Sequence, residues 1–118
     1  MGAAQHLRAE GRGPNGAAHM LSAQHSQNID PLLTNIPGLK VISVSTPADG
    51  KGLLKAAIRD NNPVIFLESE MLYGLKGEVP DNQQIIPIGV GDIKKEGSDV
   101  TLITWGKTLH TVLKSLDE

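Results

Sequence analysis

Cysteine is absent from this chain, which excludes a disulfide framework and any thiolate metal site. Aromatic residues are nearly absent too: Phe66, Tyr73 and Trp105 are the only ones, so a core must be built from Leu, Ile and Val. No apolar run approaches the roughly 20 residues that span a bilayer. Residues 1–16 lack the apolar centre of a secretory signal. A clustered basic run is also missing. Eleven basic against thirteen acidic side chains give a net charge of −2, and nucleic-acid binding lacks the positive surface that phosphate neutralisation needs. The composition therefore describes a soluble protein without nucleic-acid or membrane partners, placed in the cytoplasm, or in the mitochondrial matrix if the source is eukaryotic. With 118 residues there is room for one ordinary domain or a piece of a larger one.

What is present divides unevenly. Residues 1–16 are small, polar and glycine-rich and read as a loop or loose tail. Short helices are expected over Ala17–Gln24 and Ile29–Asn35, with a turn at Pro37-Gly38. Leu39–Val44 is a β-branched run of strand length. The best-marked helix follows. Thr46 stands where a cap belongs, Pro47 fits the first turn, and Asp49 lies three residues after the cap. Leu53, Leu54, Ala57 and Ile58 recur on one face, while Gly50 and Gly52 each weaken the helix by about 1 kcal/mol relative to Ala. Pro63 disfavours helical geometry at Asn62, so the helix should stop near Asp60. Val64–Leu67 is then a fully apolar strand, as suits a sheet covered on both faces.

Strand, helix and strand in that order make a βαβ unit with parallel strands and a right-handed crossover. Beyond Tyr73 the composition shifts. Gly74–Gln84 reads as a connecting loop, Ile85–Ile88 as an extended edge piece because of Pro87, and Val100–Thr104 as a strand. A terminal helix is expected over Leu109–Leu116. The chain is thus expected to comprise a loose segment (1–11), a main α/β unit (12–89) and, past a composition break near Gly89–Gly97, the opening of a second unit (90–118).

Few residues carry chemistry. His25, among polar neighbours after an expected helix, reads either as an imidazole placed to move a proton near neutral pH or as a hydrogen-bonded surface histidine. Arg12-Gly13-Pro14-Asn15-Gly16 is a tight-turn sequence. Ala57-Ile58-Arg59-Asp60-Asn61-Asn62-Pro63 is a helix end whose carbonyls point outward; with a carboxylate and an amide oxygen it forms either a hard-oxygen cation site or a solvated terminus. Glu68, Glu70 and Tyr73 follow the apolar strand at the end where open α/β sheets place ligands. As paired carboxylates two apart on an extended segment, the glutamates would share a face; as ordinary surface residues they need no partner. His6, His19 and His110 show no metal-ligand spacing.

Several blocks add a resemblance. Gly13-Pro14-Asn15-Gly16, Ala23-Gln24-His25-Ser26-Gln27, Pro37-Gly38-Leu39-Lys40-Val41, Lys55–Pro63 and Leu67–Gly74 together resemble the β subunit of the decarboxylating component of pyruvate dehydrogenase, over about Arg12 to Thr104. The fold this implies is α/β: a partial transketolase-type pyrimidine-binding domain with a parallel βαβ core, followed by the start of the transketolase C-terminal domain. The implied activity is oxidative decarboxylation of pyruvate with acetyl transfer to lipoyl-lysine. The alternatives are a branched-chain 2-oxo acid enzyme and an inactive remnant acting as an interaction module.

The resemblance also implies a cofactor, thiamine diphosphate, shared with an α subunit that holds its diphosphate and magnesium. Partners would be that α subunit, a second β subunit and the lipoyl-bearing acyltransferase core. His25 becomes the candidate catalytic residue, binding substrate or orienting the acyl group. Ala57, Ile58, Asp60 and Asn62 become candidate ligands of a structural potassium ion, and Leu67–Gly74 a subunit contact. The glutamate that assists ylide formation in this family lies upstream of the matching segment, and Glu10 is not in its motif. The chain alone is expected to be inactive.

Overall fold

The computed structural model describes residues 10–16, 22–82 and 84–116. Its centre is a three-stranded parallel sheet in the order β1-β3-β2, formed by β1 (Glu10–Pro14), β2 (Lys40–Ser43) and β3 (Val64–Glu68). β3 takes the middle because its apolar run suits a strand paired on both sides; Val64 and Phe66 are fully buried, Leu67 nearly so and Ile65 partly. Lys40 registers with Val64 on one side and Glu10 with Val64 on the other. The expected βαβ unit is therefore present, with β2 and β3 parallel.

The helix between them, α2 (Pro47–Arg59), begins as the residues require. Thr46 accepts a bond from the Asp49 amide, and the Asp49 carboxylate accepts one from the Thr46 amide, a reciprocal capping box. It ends at Arg59, one residue before the expected stop. Its buried face differs from the reading above: Gly52, Ala56 and Ala57 are buried and Leu53 and Leu54 pack against the core, but Ile58 is exposed. Alanines let the helix approach β3 closely, and Ile58 falls one position beyond that stripe.

Three expectations fail for one reason: a strand is a matter of partners. The glycine-rich Glu10–Pro14 is a strand rather than a loop, because it satisfies the open edge of β3. Gly11 suits the place; a Cβ there would lie 3.0 Å from Ile65 Cδ1. Only Asn15 and Gly16 turn, the latter at φ +81°. Conversely Ile85–Ile88 forms no strand. Ile86 lies over Gly52, its amide donating to the Gly52 carbonyl at 3.4 Å, and a Cβ on Gly52 would come within 2.5 Å of Ile86 Cγ1. The helix-weakening glycine is thus the seat of Ile86. Val100–Thr104 also forms no strand, having no neighbour among the described residues to pair with.

The remaining elements are short. α1 (Asp30–Thr34) and the turn at Gly38 (φ +85°) lead into β2. α3 (Lys107–Ser115) starts two residues before the expected Leu109, buries that leucine, and brings His110 Nε2 to 2.7 Å from the Ser45 carbonyl. The helix expected over Ala17–Gln24 lies outside the described residues except at its end, where Ala23–His25 form a single 3₁₀ turn. His6 and His19 lie outside them too.

Candidate functional site at the strand ends

Parallel strands deliver their C-termini to one edge, and β1 and β3 deliver Pro14 and Glu68 side by side. The chain after β1 is fastened there: the Asn15 amide donates to the Glu68 carbonyl at 2.8 Å and the Gly16 amide to the Gln27 carbonyl at 2.8 Å. The Asn15 side chain accepts from the Ile29 amide and donates to Asn28 and Asp30. This single asparagine ties the end of β1 to the segment that carries His25. The tight-turn reading of Arg12-Gly13-Pro14-Asn15-Gly16 therefore holds only for Asn15 and Gly16, because Arg12, Gly13 and Pro14 extend as β1.

His25 ends its 3₁₀ turn with Nδ1 3.5 Å from Glu70 Oε1. The imidazole is 45% exposed and the carboxylate only 16%. Glu68 meets different partners. Its Oε1 accepts from Arg12 Nε at 2.7 Å, and its Oε2 from the Tyr73 hydroxyl at 3.4 Å. Partial burial, then the Glu68 charge, hold the Tyr73 phenol above its ordinary range. The two glutamates do not share an extended face as the spacing suggested: β3 ends at Glu68, and Glu70 opens a 3₁₀ turn, Glu70–Leu72. One carboxylate is neutralised by arginine, the other faces the histidine. Arg12 and Glu70 were missed as partners because no local spacing links them to Glu68 and His25; the rule that ligands gather at the C-terminal ends of parallel strands was the available signal.

The second candidate site lies at the opposite end of β3, about 16 Å of strand away. Ala57, Ile58, Asp60 and Asn62 do form one turn. The Asp60 amide donates to the Ala57 carbonyl at 3.1 Å, while Asp60 Oδ1 accepts from the Asn62 amide and side chain at 2.8 and 2.9 Å. Taking the Asn62 amide removes the donor that would close the helix on the Ile58 carbonyl. Asp60 Oδ2 meets Lys40 Nζ at 2.5 Å. That ammonium, with the Asn62 donors, brings the Asp60 carboxyl down to about 2. The donor set suits an alkali cation through main-chain oxygens; the Asp60 side chain is committed to Lys40 and Asn62 and shapes the turn instead. Among the described residues no three His, Asp or Glu side chains gather as a metal site, and no helix is long and apolar enough to cross a membrane.

Residues 2–76 match the family described as "Transketolase, pyrimidine binding domain". The chain belongs to that family. The parallel α/β core described above is the fold its residues imply. Relatives narrow the neighbourhood. The chain is 43% identical over 105 residues, 89% of its length, to the pyruvate dehydrogenase E1 component subunit beta of Chlorokybus atmophyticus. It is 53% identical over 100 residues, 85% of its length, to the acetoin:2,6-dichlorophenolindophenol oxidoreductase subunit beta of Cupriavidus necator. To the 2-oxoisovalerate dehydrogenase subunit beta of Bacillus subtilis it is 46% identical over 107 residues, 90% of its length. The chain spans about a third of the length of these relatives, 31%, 30% and 33% respectively.

Proposed function

We propose that this chain is part of the β subunit of a thiamine-diphosphate-dependent enzyme that oxidatively decarboxylates pyruvate and passes the acetyl group to lipoyl-lysine. The observation that supports this most is the placement of His25, half-exposed at the joined C-terminal ends of β1 and β3 with a carboxylate behind it. Thiamine diphosphate supplies the carbanion-stabilising chemistry that 2-oxo acid decarboxylation requires. His25 contributes a hydrogen-bonding and proton-holding group at the edge of that site, orienting the acyl oxygen. The α subunit holds the diphosphate and magnesium, and a second β subunit and the acyltransferase core complete the assembly. The pyrimidine-binding unit covers 12–89 together with Glu10 and Gly11, which belong to β1, and 90–118 open the next. The turn formed by Ala57, Ile58, Asp60 and Asn62 holds potassium through main-chain oxygens and keeps the start of β3 in place. Alone, the chain is inactive.

A second reading has support of its own: acetoin as substrate, since two acetoin oxidoreductase β subunits reach 53% and 52% identity. The test is to assemble a full-length subunit carrying this segment with its α partner. Reduction of 2,6-dichlorophenolindophenol is then followed with pyruvate, acetoin and 3-methyl-2-oxobutanoate in turn. Pyruvate should be turned over fastest. Acetoin turnover alone would replace the substrate, and no turnover with any of the three would remove the enzymatic reading. His25→Asn should lower acyl transfer by roughly 10²-fold.

A further inference from the structure

We propose that Glu70 is the positioning residue for His25, fixing the imidazole with Nδ1–H toward the carboxylate and Nε2 open to the substrate side. The inference rests on the reading of His25 given above. Four charged or titratable groups surround the imidazole's edge of the sheet: Glu70, Glu68, Arg12 and Tyr73. Geometry separates their roles. Glu68 has both oxygens occupied, one by Arg12 and one by Tyr73. Glu70 has an oxygen 3.5 Å from His25 Nδ1, and its backbone is held by the 3₁₀ turn in which the Tyr73 amide donates to its carbonyl.

The exposures differ in the way such a task requires. Glu70 is 16% exposed, so its carboxylate is shielded from competing water, whereas His25 at 45% keeps an open side. In a neutral imidazole the hydrogen bond made by one nitrogen decides which nitrogen carries the proton. A carboxylate accepts only, so it selects the Nδ1–H form and leaves the Nε2 lone pair available. At 3.5 Å the two groups approach without a formed hydrogen bond, and catalytic hydrogen bonds are often long before substrate binds and close in its complex. With its histidine 45% exposed, such a pair adds little to stability, so its effect falls on orientation.

Two measurements test this. In the first, imidazole ¹⁵N shifts of the 118-residue chain are recorded at alkaline pH, where histidine is neutral. The Nδ1–H form of His25 should dominate, become the minor form in Glu70→Gln, and return in Glu70→Asp. In the second, Glu70→Gln in the assembled enzyme should lower kcat roughly tenfold with KM little changed, and Glu70→Asp should recover part of it. Unchanged nitrogen shifts and full kcat in a folded Glu70→Gln enzyme would overturn the proposal while leaving the proposed function intact. Loss of the Nδ1–H form in Glu70→Gln, with His25→Asn fully active, would instead keep the pairing and sink the functional reading. Should Glu70→Gln fail to fold, the wild-type nitrogen shifts decide: a dominant Nδ1–H form of His25 supports the proposal, and a dominant Nε2–H form overturns it.

Discussion

Val64–Leu67 and Val100–Thr104 are alike in composition, short and rich in β-branched residues, yet only the first is a strand. Val64 and Phe66 are completely buried between two parallel neighbours; Ile103 is 86% exposed and Val100 69%. The difference lies outside the runs themselves. β3 is preceded by a helix that covers it and flanked by two edges that pair with it, whereas 100–104 finds neither among the described residues. Apolar content creates a demand for cover, and topology decides whether it is met.

The largest expected effect breaks the comparison at its centre. Phe66→Ala should cost about 3–5 kcal/mol by removing a fully buried ring, and Ile103→Ala should stay within about 0.5 kcal/mol. Denaturant unfolding of the two variants side by side measures the contrast; equal losses would mean that 100–104 is buried in solution. A smaller effect sharpens it. Thr46→Ala removes half of the capping box that starts α2, the cover over β3, and should cost about 1 kcal/mol, again read from denaturant midpoints. Leaving the α3 region unmoved would show that the cover serves β3 alone.

The smallest effect concerns the solvent-facing turn that enters β3. With its folded value down to about 2, Asp60 favours the folded state above its unfolded value of about 4. That contribution fades as pH falls from about 4 through about 2, where the carboxyl is protonated in both states. Wild type minus Asp60→Asn stability should therefore be flat above that window and shrink within it. Lys40→Met should move the shrinkage to higher pH. A difference that holds constant across the window would show that the Lys40 contact does not form.

Local chemistry explains which parts were readable in advance. Thr46, Pro47 and Asp49 lie within one turn of each other, and the helix they announce is there; the same holds for the stop before Pro63. The strand at Glu10–Pro14 was hidden because its reason for existing is the open edge of β3, far along the chain. Ile86 was misread because its partner is the missing side chain of Gly52. At the strand ends, His25 and Glu70 stood out singly, but their pairing depends on Asn15 joining three segments. The turn formed by Ala57, Ile58, Asp60 and Asn62 was contiguous and legible, except for Lys40, which only the β2–β3 register brings to Asp60.

One contact has a practical consequence. Trp105 is the chain's sole tryptophan, and its indole N–H donates to Asp30 Oδ2 at 3.3 Å, bridging the segment before α3 to the first turn of α1. Asp30 is itself held by Asn15. The protein thus carries one native fluorophore at the junction of its early and late segments. Its emission is a dye-free optical gauge of whether the late segment has docked.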